Sequence, residues 1–100
     1  MILHTVNKSP FEKNTLISCL NHAKAGSSVL FIEDGIYAAL QNTRFSDQVS
    51  SAMKDINLYV LEPDLKARGV QDNLIDGIKK VDYAGFVDLT TEHDTVDAWL

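Results

Sequence analysis

Cysteine is almost missing from this chain. Cys19 is the only one in 100 residues, so no disulfide can close within it, and the framework of a small cross-linked secreted domain is excluded. Proline occurs twice and glycine five times, too few for a low-complexity or collagen-like sequence. No apolar run approaches the roughly 20 residues needed to cross a bilayer, so no membrane partner is expected. The first segment, "MILHTV", reads directly as a strand and lacks the basic stretch and long apolar run of a secretory signal. These absences point to a reducing compartment, by default the cytoplasm. Positive charge is also scarce: nine Lys and Arg face fourteen Asp and Glu, for a net charge of −5. Nucleic-acid affinity rests on phosphate neutralisation, and the basic residues here are scattered, so direct nucleic-acid binding is not expected.

What is present is ordinary for a globular chain, 45% hydrophobic and 23% charged. The length suits one domain, residues 1–100, with a core thin enough that burial against a partner would help it. After the first strand, "NKSPFE" carries a helix start: Ser9 as N-cap, Pro10 as the first helical residue and Glu12 closing a capping box. Leu16, Cys19, Leu20 and Ala23 follow at i, i+3, i+4, i+7 spacing, one face of a helix predicted to run to about Ala25 with Gly26 as its stop. "SVLFIE" from Ser28 reads as a strand buried on both faces. Asp34 and Ser46 are expected to cap short helices through "GIYAAL" and "DQVSSAMK". "NLYVL" from Asn57 is a third strand, Pro63 opens the helical turn "PDLKAR" that Gly69 ends, "IKKVDY" is a fourth strand, and Asp82 caps a last helix through "YAGFVDLTTEH". Strands alternating with helices predict βαβ units, hence an α/β fold: a small doubly wound parallel sheet with helices on both faces.

In such a sheet, ligands collect beyond the carboxyl ends of the strands. That rim would gather Lys8 with Ser9, Glu33 with Asp34, Glu62 with Asp64, and Asp82 with Tyr83. It reads either as a polar crevice for a small ligand or phosphate, or simply as a row of helix caps. Neither G-x-G-x-x-G nor G-x-x-x-x-G-K-[ST] occurs, and Pro10 stands at the first strand–helix turn. His4, His22 and His93 lack the spacing that brings two imidazoles onto one helical face, so neither a metal nor another cofactor is expected. No nucleophile-elbow glycines support a Ser–His–Asp arrangement. Cys19 is the candidate for chemistry, and two readings of it stay open. A reactive thiol needs a stabilised thiolate. Cys19 lies about nine residues past the predicted helix start, ~14 Å from the positive dipole end, which favours a small buried apolar role. A working thiol would need a partner subunit to expose or activate it. Trp99 and Leu100 either fold back on the domain or dock on another subunit.

"LHTVNKSP", "FIEDGIYAAL", "LYVLEPDLKARG" and "VDYAGFVDLTTEHDTVDAW", in that order, resemble the TusB/DsrH family over nearly the whole chain. The resemblance implies a DsrE-like α/β fold and a place in a cytoplasmic sulfur-relay complex, TusBCD or DsrEFH. There the chain would join two homologous small subunits, TusD/DsrE-like and TusC/DsrF-like, in a heterohexamer that passes persulfide sulfur to a downstream carrier protein. The sulfur serves 2-thiolation of the tRNA wobble uridine in one branch and sulfur oxidation in the other. The main accepting cysteine lies on the TusD/DsrE subunit, so this chain is expected to be structural or auxiliary, not catalytic alone, with Cys19 an auxiliary sulfur acceptor at most. A cysteine within the first helix, with "NKSPFE" and "DLKARG", makes the resemblance closer to the DsrH type.

Overall fold

A computed structural model describes residues 1–100. Five strands alternate with helices: β1 (Ile2–Val6), α1 (Thr15–His22), β2 (Ser28–Phe31), a 3₁₀ helix (Glu33–Ala39), α2 (Ser46–Ala52), β3 (Asn57–Leu61), α3 (Glu62–Ala67), β4 (Lys79–Val81), α4 (Tyr83–Glu92) and β5 (Thr95–Trp99). All strand pairs are parallel, in the order β4-β3-β2-β1-β5. The chain steps outward from β1 to β4, then α4 carries it back across the sheet so that β5 lies beside β1.

The period of two along the strands divides the core into two layers. Val29 and Phe31 of β2, Leu58 and Val60 of β3 and Val6 of β1 face α1, the 3₁₀ helix, α2 and α3, whose inward residues are Leu16 and Cys19, Ile36, Val49 and Leu65. Leu3 and Leu30 face the other way and meet Leu89 of α4, with Phe86, Ile32, Tyr59 and Val81 around them. Helices thus cover both faces, as the alternation predicts, but α4 covers its face alone.

Local signals hold unevenly. Pro63 lies in the first turn of α3, and Gly69 follows it in the left-handed conformation (φ 67°) that a helix stop of this kind needs. Asp82 caps α4, accepting the Gly85 N–H at 2.8 Å. Asp82→Ala is expected to lose about 1 kcal/mol of stability, the ordinary worth of an N-cap, read from a urea titration.

The first helix departs from expectation. It begins at Thr15, and Ser9 instead holds a turn, its carbonyl accepting the Glu12 and Lys13 N–H groups and its hydroxyl the Phe11 N–H. The reason lies in the apolar pattern, which starts only at Leu16. A helix from Pro10 would offer the sheet nothing in its first turn, and Phe11 packs sideways against Phe45 instead, with the Arg44 guanidinium 4.9 Å from the Phe45 ring. Asp34 lies inside the 3₁₀ helix and caps nothing. The Ser46 hydroxyl turns back to accept the Thr43 N–H and donate to the Leu40 carbonyl, bracing the preceding loop. β5, finally, has no counterpart in the sequence-based expectation.

Candidate functional site

Cys19 is fully buried, on the face of α1 that meets the sheet. Because α1 starts at Thr15, the cysteine stands only four residues into the helix, ~6 Å along its axis instead of the ~14 Å expected, and distance from the dipole no longer explains an inert thiol. Burial does. It pushes the thiol up to about 12, and the nearby Asp97 carboxylate adds to the effect.

Asp97 belongs to a small polar group that the topology assembles inside the α1 layer. β5 pairs with β1 so that Asp97 lies beside His4 and Trp99 beside Val6. The Trp99 indole N–H donates to His4 Nδ1 at 3.0 Å. An indole nitrogen is donor only, so this bond makes Nδ1 the acceptor and fixes His4 as the neutral tautomer protonated on Nε2. Burial also holds His4 below the usual histidine range, opposed by Asp97 and assisted by His22. His22, one turn beyond Cys19, stands edge-on to both rings, with centroids 6.2 Å from His4 and 5.6 Å from Trp99. Of the two expectations for Trp99, the ring folds back on its own sheet, while Leu100 remains exposed.

The rim at the strand ends gathers part of the expected set. Arg68, which sequence reasoning passed over, lies between Asp34 and Asp64: its Nη2 is 2.9 Å from Asp34 Oδ1, and its Nη1 donates to the Asp64 carbonyl at 3.3 Å. The Asp64 carboxylate accepts the Glu33 N–H at 2.7 Å, and Glu33 is one of two non-glycine residues with positive φ (50°). These bonds staple the loop after β2 to α3. The Arg68 side chain fills the space between the carboxylates, and no pocket opens there or elsewhere in the molecule. Lys8 points to solvent and Asp82 is committed to its cap. His93 lies apart from the other two histidines, bonded to Ser28 Oγ and the Leu89 carbonyl. No cluster of three or more His, Cys, Asp or Glu side chains is arranged to hold a metal ion. No helix is long and apolar enough to cross a membrane.

The architecture is that of a small α/β protein built on a parallel five-stranded sheet, and solved structures share it. The ychN protein from E. coli superposes with a TM-score of 0.82 at 16% identity, covering 98% of this chain and 97% of its own. A protein of unknown function from Methanobacterium thermoautotrophicum, MTH1491, gives 0.74 at 18% identity, covering 97% and 96%. At the sequence level, residues 8–96 match the family model described as DsrH like protein. Protein TusB of Klebsiella pneumoniae subsp. pneumoniae is 35% identical over 98 residues, and Protein TusB of Buchnera aphidicola subsp. Baizongia pistaciae is 32% identical over 98 residues. Each match covers 98% of this chain and the full length of the relative. This chain belongs to the DsrH/TusB family.

Proposed function

We propose that this chain is a structural or auxiliary subunit of a sulfur-relay complex of the DsrEFH/TusBCD type, paired with two homologous small subunits in a heterohexamer, with the main accepting thiol on a partner. The observation that carries the reading is the family match over nearly the whole chain. The burial of Cys19 supports an auxiliary role. Persulfide transfer requires a thiolate to attack the outer sulfur of the donor, forming the new persulfide and releasing the donor thiolate, and a buried thiol held up to about 12 offers little thiolate. Tyr83 and Val87, one turn apart on the outer side of α4, are more than half exposed and give an assembly apolar surface to cover. The relatives' name favours delivery to tRNA wobble-uridine 2-thiolation, and the cysteine within α1 favours sulfur oxidation.

Co-expression with the two homologous subunits is expected to yield one assembly on size-exclusion chromatography. In that assembly a persulfide donor is expected to add about 32 Da, one sulfur atom, chiefly to a partner cysteine, and Cys19→Ala is expected to keep at least about half of the transfer. Separate elution of this chain would remove the subunit reading. Loss of transfer in Cys19→Ala with the assembly intact would remove the auxiliary one and make Cys19 an obligatory acceptor.

A further inference from the structure

β5 is one of the two edge strands, β4 being the other. It is the last element of the chain, lies at an edge of the sheet and pairs only with β1. Thr95, Val96 and Ala98 are exposed. Its two inward side chains are Asp97 and Trp99. The Trp99 ring packs on the apolar cluster that contains Cys19, meets His22 of α1 edge-on, and is tied to His4 by the single indole hydrogen bond. Beyond it the Leu100 carbonyl lies 3.5 Å from the Thr15 hydroxyl, so the chain end reaches the first turn of α1. At the opposite end of the strand, Asp94 is joined to Met1 by an exposed ion pair.

The other elements around Cys19 cannot move away without loss of the core. α1 carries the cysteine itself, and β1, β2 and β3 each contribute fully or almost fully buried residues to the same cluster. Releasing β5 breaks its five-residue parallel ladder with β1, the indole hydrogen bond, the Thr15–Leu100 contact and the packing of one ring. Edge strands and chain ends open at lower free energy than central strands.

We propose that β5, from Thr95 to Trp99, is a strap over Cys19, and that the thiol becomes accessible to reagents by local release of this strand from β1 while the rest of the molecule stays folded. Opening withdraws the Trp99 ring from α1 and carries the Asp97 carboxylate away from the sulfur, removing both the cover and the unfavourable charge. The inference does not rest on the sulfur-relay reading, since it requires no partner and is tested with a simple alkylating agent.

The experiment is alkylation of the full-length chain by iodoacetamide, in which the Cys19 thiolate displaces iodide to form a thioether, followed by mass spectrometry at urea concentrations below the unfolding transition. The expected rate is nearly independent of urea at low concentrations and rises steeply only as global unfolding sets in. Trp99→Ala is expected to raise the low-urea rate at least about tenfold, and Trp99→Phe, which keeps a ring but lacks the N–H, to raise it less. Leu65→Ala lies on α3, away from the strap. It is expected to lower the urea midpoint while changing the low-urea rate by less than about twofold. A wild-type rate that carries the full urea slope of global unfolding at every concentration would overturn the strap, as would a Leu65→Ala acceleration equal to that of Trp99→Ala. If Trp99→Ala does not fold, the wild-type urea dependence and Leu65→Ala decide the matter by themselves.

Discussion

Gly35→Ala is expected to leave little folded protein at room temperature. A methyl group built on Gly35 would sit 2.0 Å from the Val6 carbonyl oxygen, 2.8 Å from its carbon and 3.3 Å from Asn7 Cα. All three are backbone atoms, so no side chain can swing aside. The Val6 carbonyl is itself engaged, accepting the Ile32 N–H at 3.0 Å as the chain leaves β2, and the Val6 side chain lies in the core. Relief would mean moving the end of β1 or the whole 3₁₀ helix, with buried Ile36, Ala38 and Ala39 following it. Overpacking a core with one methyl costs about 1–3 kcal/mol when side chains can adjust. Against rigid backbone the loss is expected to exceed about 4 kcal/mol, a large part of the roughly 5–15 kcal/mol by which domains are stable. Gly69→Ala is the control. Nothing lies within 4 Å of the place its methyl group would take, and only its left-handed φ is at stake, so it should cost about 1 kcal/mol. Urea midpoints and soluble yields measure both. A Gly35→Ala protein within about 1 kcal/mol of wild type would show that the 3₁₀ helix is free to move away from β1.

The second large effect is expected in alkaline solution and traces to Cys19 alone. The folded thiol is pushed up to about 12, whereas in the unfolded chain it titrates near 9.0. Below pH 9 both states hold the proton and the thiol contributes no pH dependence. Above it the unfolded chain releases the proton while the folded chain keeps it, so the folded state binds more protons and stability falls as pH rises. The slope is about 1.4 kcal/mol per pH unit through the window from about 9 toward 12, a total on the order of 4 kcal/mol. Alkaline pH changes more than one kind of side chain in any protein, so the quantity to measure is the difference between wild type and Cys19→Ala in urea titrations at successive pH values. Cys19→Ala is expected to lose less stability than wild type above pH 9 and to run parallel to it below. Parallel curves throughout would mean that the sulfur is solvated in the folded protein. The same shift depresses the thiolate population near neutrality by roughly a thousandfold relative to a free thiol, in keeping with the auxiliary role proposed above.

Most of the fold was legible because its signals are local. The boundaries of β3 agree with the run "NLYVL", Asp82 caps α4 as its position before a helical pattern requires, and Gly69 ends α3. These features depend on residues within one or two turns of each other. Ser9 misled for a related reason: S-P-x-E is a sound helix start in isolation, but a helix of this length is held by its buried face, and that face begins at Leu16. β5 was missed because five residues at a chain end, three of them exposed, carry little apolar signal, although Thr95, Val96 and Trp99 are all strand-favouring types. Arg68 escaped notice because nothing in "KARG" says which carboxylates it will meet.

The candidate site was legible only as a residue type. Cys19 on an apolar helical face could be read as buried, and it is, but remoteness from the helix dipole gives way to burial and Asp97 as the reason its thiol is quiet. By itself the sequence determined the order of strands and helices as far as α4, the parallel α/β class and the inward-facing Leu16 and Cys19 of α1, since periodicity and capping act between near neighbours. Only the tertiary structure decided that the last strand returns to lie beside the first, that Trp99 bonds to His4 from 95 positions away, and that Asp97 reaches the surroundings of the sulfur. Those contacts follow from the crossover of α4 and the register of β5 on β1, which no stretch of neighbouring residues encodes.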